Sequence, residues 1–208
     1  DLSLTVAYDS KVNYDDIFSQ VRVWDTLIAN HLMQKNICVP PREENSKETK
    51  YEGAYVKEPI IGGHDWIVSF DINSLYPHII IQYNISPEKI LGESSHGVNV
   101  NKMIDMKVPL NYLKTEGACL TPNGAKFRND SQGFLPEMME KMYNERVVFK
   151  QRMLKAKAEY QKTKDPKLVK EIARCHNIQW SKKIALNSAY GAVGNQYFRF
   201  YDVRQASG

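Results

Sequence analysis

Trp66-Ile67-Val68-Ser69-Phe70-Asp71-Ile72-Asn73-Ser74-Leu75-Tyr76-Pro77-His78-Ile79-Ile80-Ile81-Gln82-Tyr83-Asn84-Ile85-Ser86-Pro87 is the stretch around which the chain is organised. Strand period sends Trp66, Val68, Phe70 and Ile72 to one face and Ile67, Ser69 and Asp71 to the other, which predicts a half-buried strand carrying a carboxylate on its second face. An ionised Asp on such a strand is costly without a partner, and a hard divalent cation is the partner that also does chemistry. Asn73 and Ser74 then turn the chain, with Ser74 placed to cap a short helix running through Ile79, Ile80 and Ile81 toward Asn84. The unpaired N–H groups of a helix start attract phosphate, so a metal-binding carboxylate and an anion cradle fall within a few residues of each other. A structural Asp in a strand-to-helix turn fits the same features, because turns are rich in Asp, Asn and Ser.

The chain has 208 residues, 28 Lys plus Arg and 24 Asp plus Glu, room for one large domain or two small ones with a real core. No apolar run approaches the length of a membrane span and no signal peptide opens the sequence, so a cytoplasmic protein is expected, in the host cell if the source is viral. Cys38, Cys119 and Cys175 lie far apart without paired spacing, which suggests neither a zinc site nor a disulfide framework. His78, beside the Tyr-Pro step, reads as a packed or solvent-facing side chain rather than a ligand.

Ahead of the central stretch, Ile17, Val21, Trp24, Leu27, Ile28 and Leu32 recur at spacings of three and four, the pattern of a core-facing helix. Asp15 and Asp16 point in different directions on a helix and read as its solvated start. Pro40-Pro41 and the charged run to Lys50 read as an exposed linker. Past Leu91 the periodicity fades into Gly, Ser, Asn and Lys as far as Gln132, the look of a surface excursion. Gly92 to Gly97 has the outer spacing of a phosphate-binding loop, but Val98 and Asn99 stand where Lys and Ser or Thr are required. Thr121-Pro122-Asn123-Gly124 predicts a small hairpin turn.

From Leu135 the pattern becomes helical, with Leu135, Met142, Phe149, Met153, Ala156 and Tyr160 along one apolar stripe. Asp165-Pro166 then supplies an N-cap and first residue for a second helix, which makes an antiparallel helical hairpin. Residues 135–191 hold 13 of the 28 Lys and Arg but only 6 of the 24 Asp and Glu. A solvated face accounts for charge as such, and a phosphate partner accounts better for the sign. Arg146 and Lys150 share a face of the first helix, and Lys183, Asn187 and Tyr190 share one on the second. If the arms pack together, these faces can meet a triphosphate from two sides.

Asp71-Ile72-Asn73-Ser74-Leu75-Tyr76-Pro77 resembles the first palm motif of family B DNA polymerases, and its extension Asn84-Ile85-Ser86-Pro87 is similar to the replicative polymerases of T-even-type bacteriophages. Lys183-Ile-Ala-Leu-Asn187-Ser-Ala-Tyr190-Gly191 resembles the family's fingers motif, and Tyr51-Glu52-Gly53-Ala54 its Tyr-x-Gly motif, a DNA-contacting loop. The resemblance implies that Asp71, with the backbone of Ile72, binds metal. It further implies that the backbone through Ser74 and Leu75 holds the triphosphate, and that Tyr76 is a steric gate beneath the sugar. It assigns Arg146, Lys150, Lys183, Asn187, Tyr190 and Gly191 to the incoming nucleotide and nascent base pair, and Tyr51 and Gly53 to DNA. The segment before residue 36 resembles the one that follows the last exonuclease motif. The family's Asp-Thr-Asp motif, with its second metal-binding carboxylate, does not occur after Tyr201.

An α+β fold is therefore expected: a connecting segment and linker at 1–50, the first part of a polymerase palm at 51–134, a two-helix fingers hairpin at 135–191, and a return toward the palm at 192–208. The implied function is part of a DNA-directed DNA polymerase using dNTP, a DNA primer–template and two Mg2+ ions, completed by a further segment or chain that supplies the second carboxylate and the thumb. A nucleotide- or DNA-binding piece without catalysis is the alternative, and a basic hairpin that binds nucleic acid without using Asp71 or Tyr76 is a third.

Overall fold

A computed structural model of the chain describes residues 1–42, 58–95 and 97–208. Helix α1, Leu2–Ser10, ends at Lys11 in the left-handed conformation, a 3-10 turn follows at Tyr14–Phe18, and helix α2 spans Gln20–Gln34. The apolar spacing around Ile17 to Leu32 is thus divided: Ile17 falls in the 3-10 turn, and Ser19 caps α2 by accepting from the Arg22 N–H. Trp24, Ile28 and Leu32 form the buried stripe of α2. Helix α3 is Leu75–Gln82, strand β1 Ile90–Glu93, helices α4 and α5 Val100–Ile104 and Asn111–Glu116, and strands β2 and β3 Ala118–Leu120 and Ala125–Arg128.

The three strands form an antiparallel sheet in the order β1-β3-β2. The 121–124 turn joins β2 to β3, with the Gly124 N–H donating to the Thr121 carbonyl and Gly124 at φ 92°. Along β3, Ala125 and Phe127 face inward and Arg128 faces out. The 91–132 region is therefore more than a surface excursion, because Ala125 and Phe127 belong to the main core with Trp24, Ile28 and Leu32.

The expected strand at Trp66 to Ile72 does not form. This segment has no regular structure, and Trp66, Phe70 and Ile72 are exposed instead of divided between two faces. A strand is stabilised by its ladder and by cross-strand side chains, and among the described residues no strand pairs with this one.

Helices α6, Phe134–Thr163, and α7, Pro166–Val193, form the antiparallel hairpin read from the sequence. Lys164 turns the chain in the left-handed conformation, and Asp165 caps α7 by accepting from the Lys167 N–H at 2.9 Å, with Pro166 in its first turn. The base of the hairpin enters the core through Leu135, Met138 and Met139 on α6 and Leu186, Ala189, Ala192 and Val193 on α7. Its far part projects, held by Met153, Ala156 and Cys175 and by an Arg152–Glu171 ion pair at 3.0 Å. A last helix, α8, spans Val203–Ala206. The whole is α+β, and among the described residues no helix is long and apolar enough to cross a membrane.

Candidate functional site

The start of α3 lies against α6 at Tyr143 and Arg146, beyond the part of α6 that enters the core. Ser74 sits at the N-cap in the left-handed conformation (φ 55°, ψ 45°), and its hydroxyl makes no cap bond. The expected side-chain cap is absent because the hydroxyl is directed elsewhere: it accepts from Arg146 Nη1 at 3.2 Å. The Ser74 carbonyl takes both the His78 backbone N–H at 3.2 Å and His78 Nδ1 at 2.8 Å, and the imidazole packs edge-on against Tyr143. His78 is thus held by Ser74 and Tyr143 while it remains exposed. Leu75 and Tyr76 open the helix, and their N–H groups have no carbonyl one turn earlier in α3 to receive them.

Arg146 is only 9% exposed, its Nε is buried without a hydrogen-bond partner, and no carboxylate pairs with it among the described residues. A buried guanidinium beside the positive end of a helix concentrates charge of one sign where water is scarce. An anion placed there would satisfy both. Lys150, one turn along α6, is exposed.

On α7, the Tyr190 ring stacks on Tyr76 with centroids 4.7 Å apart and planes 12° from parallel. The two motifs, far apart in sequence, therefore touch through their tyrosines. Lys183 holds its ammonium 4.7 Å from the centre of the Trp180 ring, while the neighbouring Lys182 is paired with Glu145 at 2.6 Å. Asn187 and Gly191 are exposed on the same part of α7. The structure thus joins Ser74, Tyr76, Arg146 and Tyr190 in a contiguous cluster at the base of the hairpin.

Asp71 and Ile72 precede this cluster and are exposed. They offer one carboxylate and one carbonyl, and among the described residues no three His, Cys, Asp or Glu side chains gather as a metal group. Two divalent ions need more anionic oxygens than that, so the residues present fit one edge of a metal site and not a two-metal site. Two of the other acidic residues are occupied: Asp16 lies 3.5 Å from Arg22, and Asp202 caps α8 and binds Arg204 Nη2 at 2.5 Å. Burial raises the Asp202 pKa, and the Arg204 bonds outweigh it, leaving the carboxyl below its ordinary range. Tyr51 and Gly53 lie outside the described residues. A cavity of about 190 Å³ between α1, α2, α6 and α7 is lined by Asp9, His31, Glu145 and Lys182 and by none of the residues that the resemblance assigns to metal, nucleotide or DNA.

Three residues of the Asn84 to Glu88 segment hold the start of α6. Asn84 Oδ1 accepts from the Gly133 N–H at 2.8 Å, Glu88 Oε1 from Phe134 at 2.8 Å, and Ser86 Oγ from Leu135 at 3.3 Å. The first N–H groups of a helix have no intrahelical acceptor, so these side chains replace it. Asn84 Nδ2 also donates to the Arg128 and Ser131 carbonyls, and Ser86 Oγ to Glu88 Oε2. The segment follows α3 directly, so α3 and α6 are fixed to one another at their roots. Sequence reading found the motif but no role for it, because its partners lie 46 to 49 residues away. Trp24 acts similarly on α7, its indole N–H lying 3.2 Å from the Ala185 carbonyl and 3.1 Å from Ser188 Oγ.

A sequence profile described as DNA polymerase family B matches residues 16–207. The chain is similar to the DNA-directed DNA polymerase of Escherichia phage RB69, 30% identical over 99% of this chain and 27% of that one. It is 29% identical to that of Enterobacteria phage T4 over 100% of this chain and 27% of the other. The solved family B DNA polymerase from the hyperthermophilic archaeon Pyrobaculum calidifontis is similar in fold, with a TM-score of 0.66 at 24% identity over 99% of this chain and 24% of that one. The chain spans about a quarter of the length of these phage relatives.

Proposed function

Because this chain belongs to DNA polymerase family B, we propose that it is the part of a DNA-directed DNA polymerase that receives the incoming dNTP, with residues 135–191 as the fingers and the segment around α3 as the first part of the palm. The observation that carries this is Arg146: a guanidinium 9% exposed, without a carboxylate partner among the described residues, bonded to Ser74 at the start of α3. A nucleoside triphosphate is an anion of the right kind for that place, because the helix start offers N–H groups and Arg146 offers a planar fork.

In this reading the triphosphate lies between α3 and the hairpin, reached by Arg146 and Lys150 from α6 and by Lys183 and Asn187 from α7. The backbone at Ser74 and Leu75 completes its cradle. Tyr76 lies under the sugar, Tyr190 and Gly191 lie against the nascent base pair, and Tyr51 and Gly53 contact DNA. Asp71 and the Ile72 carbonyl are the residues that would hold Mg2+, which in such a site supplies charge neutralisation and activates the primer hydroxyl. The single carboxylate means that nucleotidyl transfer requires further carboxylates from another polymerase segment, together with the remaining DNA-binding surface. The exposed 66–72 segment favours the same view, since an apolar strand sequence without a ladder has edges to offer.

The test is primer extension with Mg2+. The 208-residue chain alone is expected to give none, a mixture with a polypeptide bearing the second carboxylate motif and thumb is expected to extend, and Asp71→Asn is expected to abolish that extension. Nucleotide binding without extension in every mixture would favour a non-catalytic binding fragment. Extension by the purified chain alone would show that its second carboxylate lies elsewhere within it.

A further inference from the structure

Two adjacent lysines on α7 have opposite surroundings. Lys182 is neutralised by Glu145 at 2.6 Å, whereas Lys183 forms no ion pair among the described residues and rests its ammonium over the Trp180 indole at 4.7 Å. The indole in turn lies nearly parallel to the His176 ring, with centroids 5.8 Å apart and planes at 11°. His176, Trp180, Lys183 and Asn187 follow one another at spacings of four, three and four, so they make one stripe down α7. Trp180 is 38% exposed, so the core does not account for its place.

We propose that Trp180 is a positioning residue that holds Lys183 ready for the phosphates of an incoming nucleoside triphosphate, an inference that rests on the nucleotide-binding reading above. An aromatic face attracts an ammonium through its quadrupole without cancelling its charge. A carboxylate in the same place would restrain the side chain but also compete with the phosphates, as Glu145 does for Lys182. The ring touches one side of the ammonium and leaves its other N–H donors free to turn to an anion. A free lysine must give up most of its rotamers when it binds, and one already held over a ring gives up fewer. His176 lies against the indole and limits its swing. Trp180 touches no phosphate in this scheme and acts only through Lys183.

The distinction to test is between a ring face and mere bulk. Trp180→Phe keeps an aromatic face, Trp180→Leu keeps apolar volume without one, and Lys183→Ala removes the cation. Affinity of the 208-residue chain for the magnesium complex of dATP is measured for each by titration calorimetry. Lys183→Ala is expected to weaken binding roughly tenfold or more, Trp180→Leu about fivefold, and Trp180→Phe about twofold or less. The double variant Trp180→Leu with Lys183→Ala is expected to bind no worse than Lys183→Ala alone, since the indole has nothing left to position. Independently of ligand, the Lys183 ε-methylene protons in the parent chain are expected to be shifted upfield by the indole ring current. Parent-like affinity for Trp180→Leu, additive losses in the double variant, or an unshifted Lys183 methylene would each overturn the proposal and leave the nucleotide-binding reading standing. Parent-like affinity for Lys183→Ala would overturn the proposal as well and remove Lys183 from the site, whereas no binding of the dATP complex by the parent chain would overturn the nucleotide-binding reading itself.

Discussion

Tyr76 and Tyr190 lie face to face, 4.7 Å between ring centres and 12° from parallel, so the helix that follows Asp71 and the last turns of the helical hairpin share one aromatic contact. Such a pair contributes roughly 0.5–1.5 kcal/mol beyond the area it buries. A movement of the hairpin at this end therefore slides or separates the two rings, and both belong to the surface proposed to meet the nucleotide.

Tyr76→Ala removes the bulk assigned to the sugar. In a polymerase completed by its remaining segments, this substitution is expected to raise ribonucleotide incorporation relative to deoxyribonucleotide by roughly tenfold or more. Competition assays with paired rNTP and dNTP measure it. Unchanged discrimination would locate the gate at another residue.

Arg146→Ala is expected to weaken dNTP binding by roughly 1–3 kcal/mol, the value of a charged hydrogen bond. Arg146→Lys is not expected to restore it fully, because a point charge cannot supply the planar fork. Titration of the chain with a dNTP in Mg2+ provides the check, and equal affinity for all three forms would remove Arg146 from the site.

Gly133 and Gly191 are expected to respond differently to alanine. A Cβ at Gly133 would stand 2.6 Å from Ser86 Cβ and 2.9 Å from Ser86 Oγ, inside the bonds that cap α6, and Ser86 is fully buried. Gly133→Ala is expected to destabilise by roughly 1–3 kcal/mol. At Gly191 the Cβ would meet only the far end of Gln20, at its Oε1, which can swing aside. There the better helix propensity of alanine, about 1 kcal/mol, offsets the adjustment. Urea midpoints at constant m-value decide between them, and equal losses would contradict the steric account.

His31 links stability to pH. Burial pushes its pKa below the ordinary histidine value, with Lys35 and Lys141 adding in the same direction, and these outweigh the opposing pull of Glu137, whose carboxylate lies 3.5 Å from Nε2. A group with a depressed folded pKa gives stability that is present above its unfolded pKa and is lost as pH falls through the folded one. Melting temperature is therefore expected to fall as pH drops below about 6.5, and to fall less in His31→Gln. Parallel pH profiles for the two proteins would exclude His31 as the cause.

Much of the helical hairpin, and the turn between β2 and β3, was legible from local signals: the 3.6-residue stripe, the Asp165-Pro166 start and the Thr121 to Gly124 turn each depend on residues near one another in sequence. The motif helix α3 was legible for the same reason. The 66–72 segment was read as a strand because alternation reports what a side chain can do in a sheet, whereas a strand exists only with a neighbour to bond. The Ser74 cap was misread because its hydroxyl is taken by Arg146, 72 residues away. Distance in sequence also hid the Asn84, Ser86 and Glu88 clamp on α6, since its acceptors are ordinary polar side chains until the helix they serve is beside them.

The bond from Trp24 to Ala185 closes over 161 residues, and this sets an order of events during synthesis. At roughly 5–20 residues per second, Trp24 leaves the ribosome about ten to thirty seconds before the carbonyl that receives its indole is made. Throughout that interval the apolar stripe of α2 has no α7 to cover it. Loop closure of this span must precede the contact that rewards it, so the indole bond, and the cover that α7 gives the largest side chain of the core, cannot form until α7 has been made.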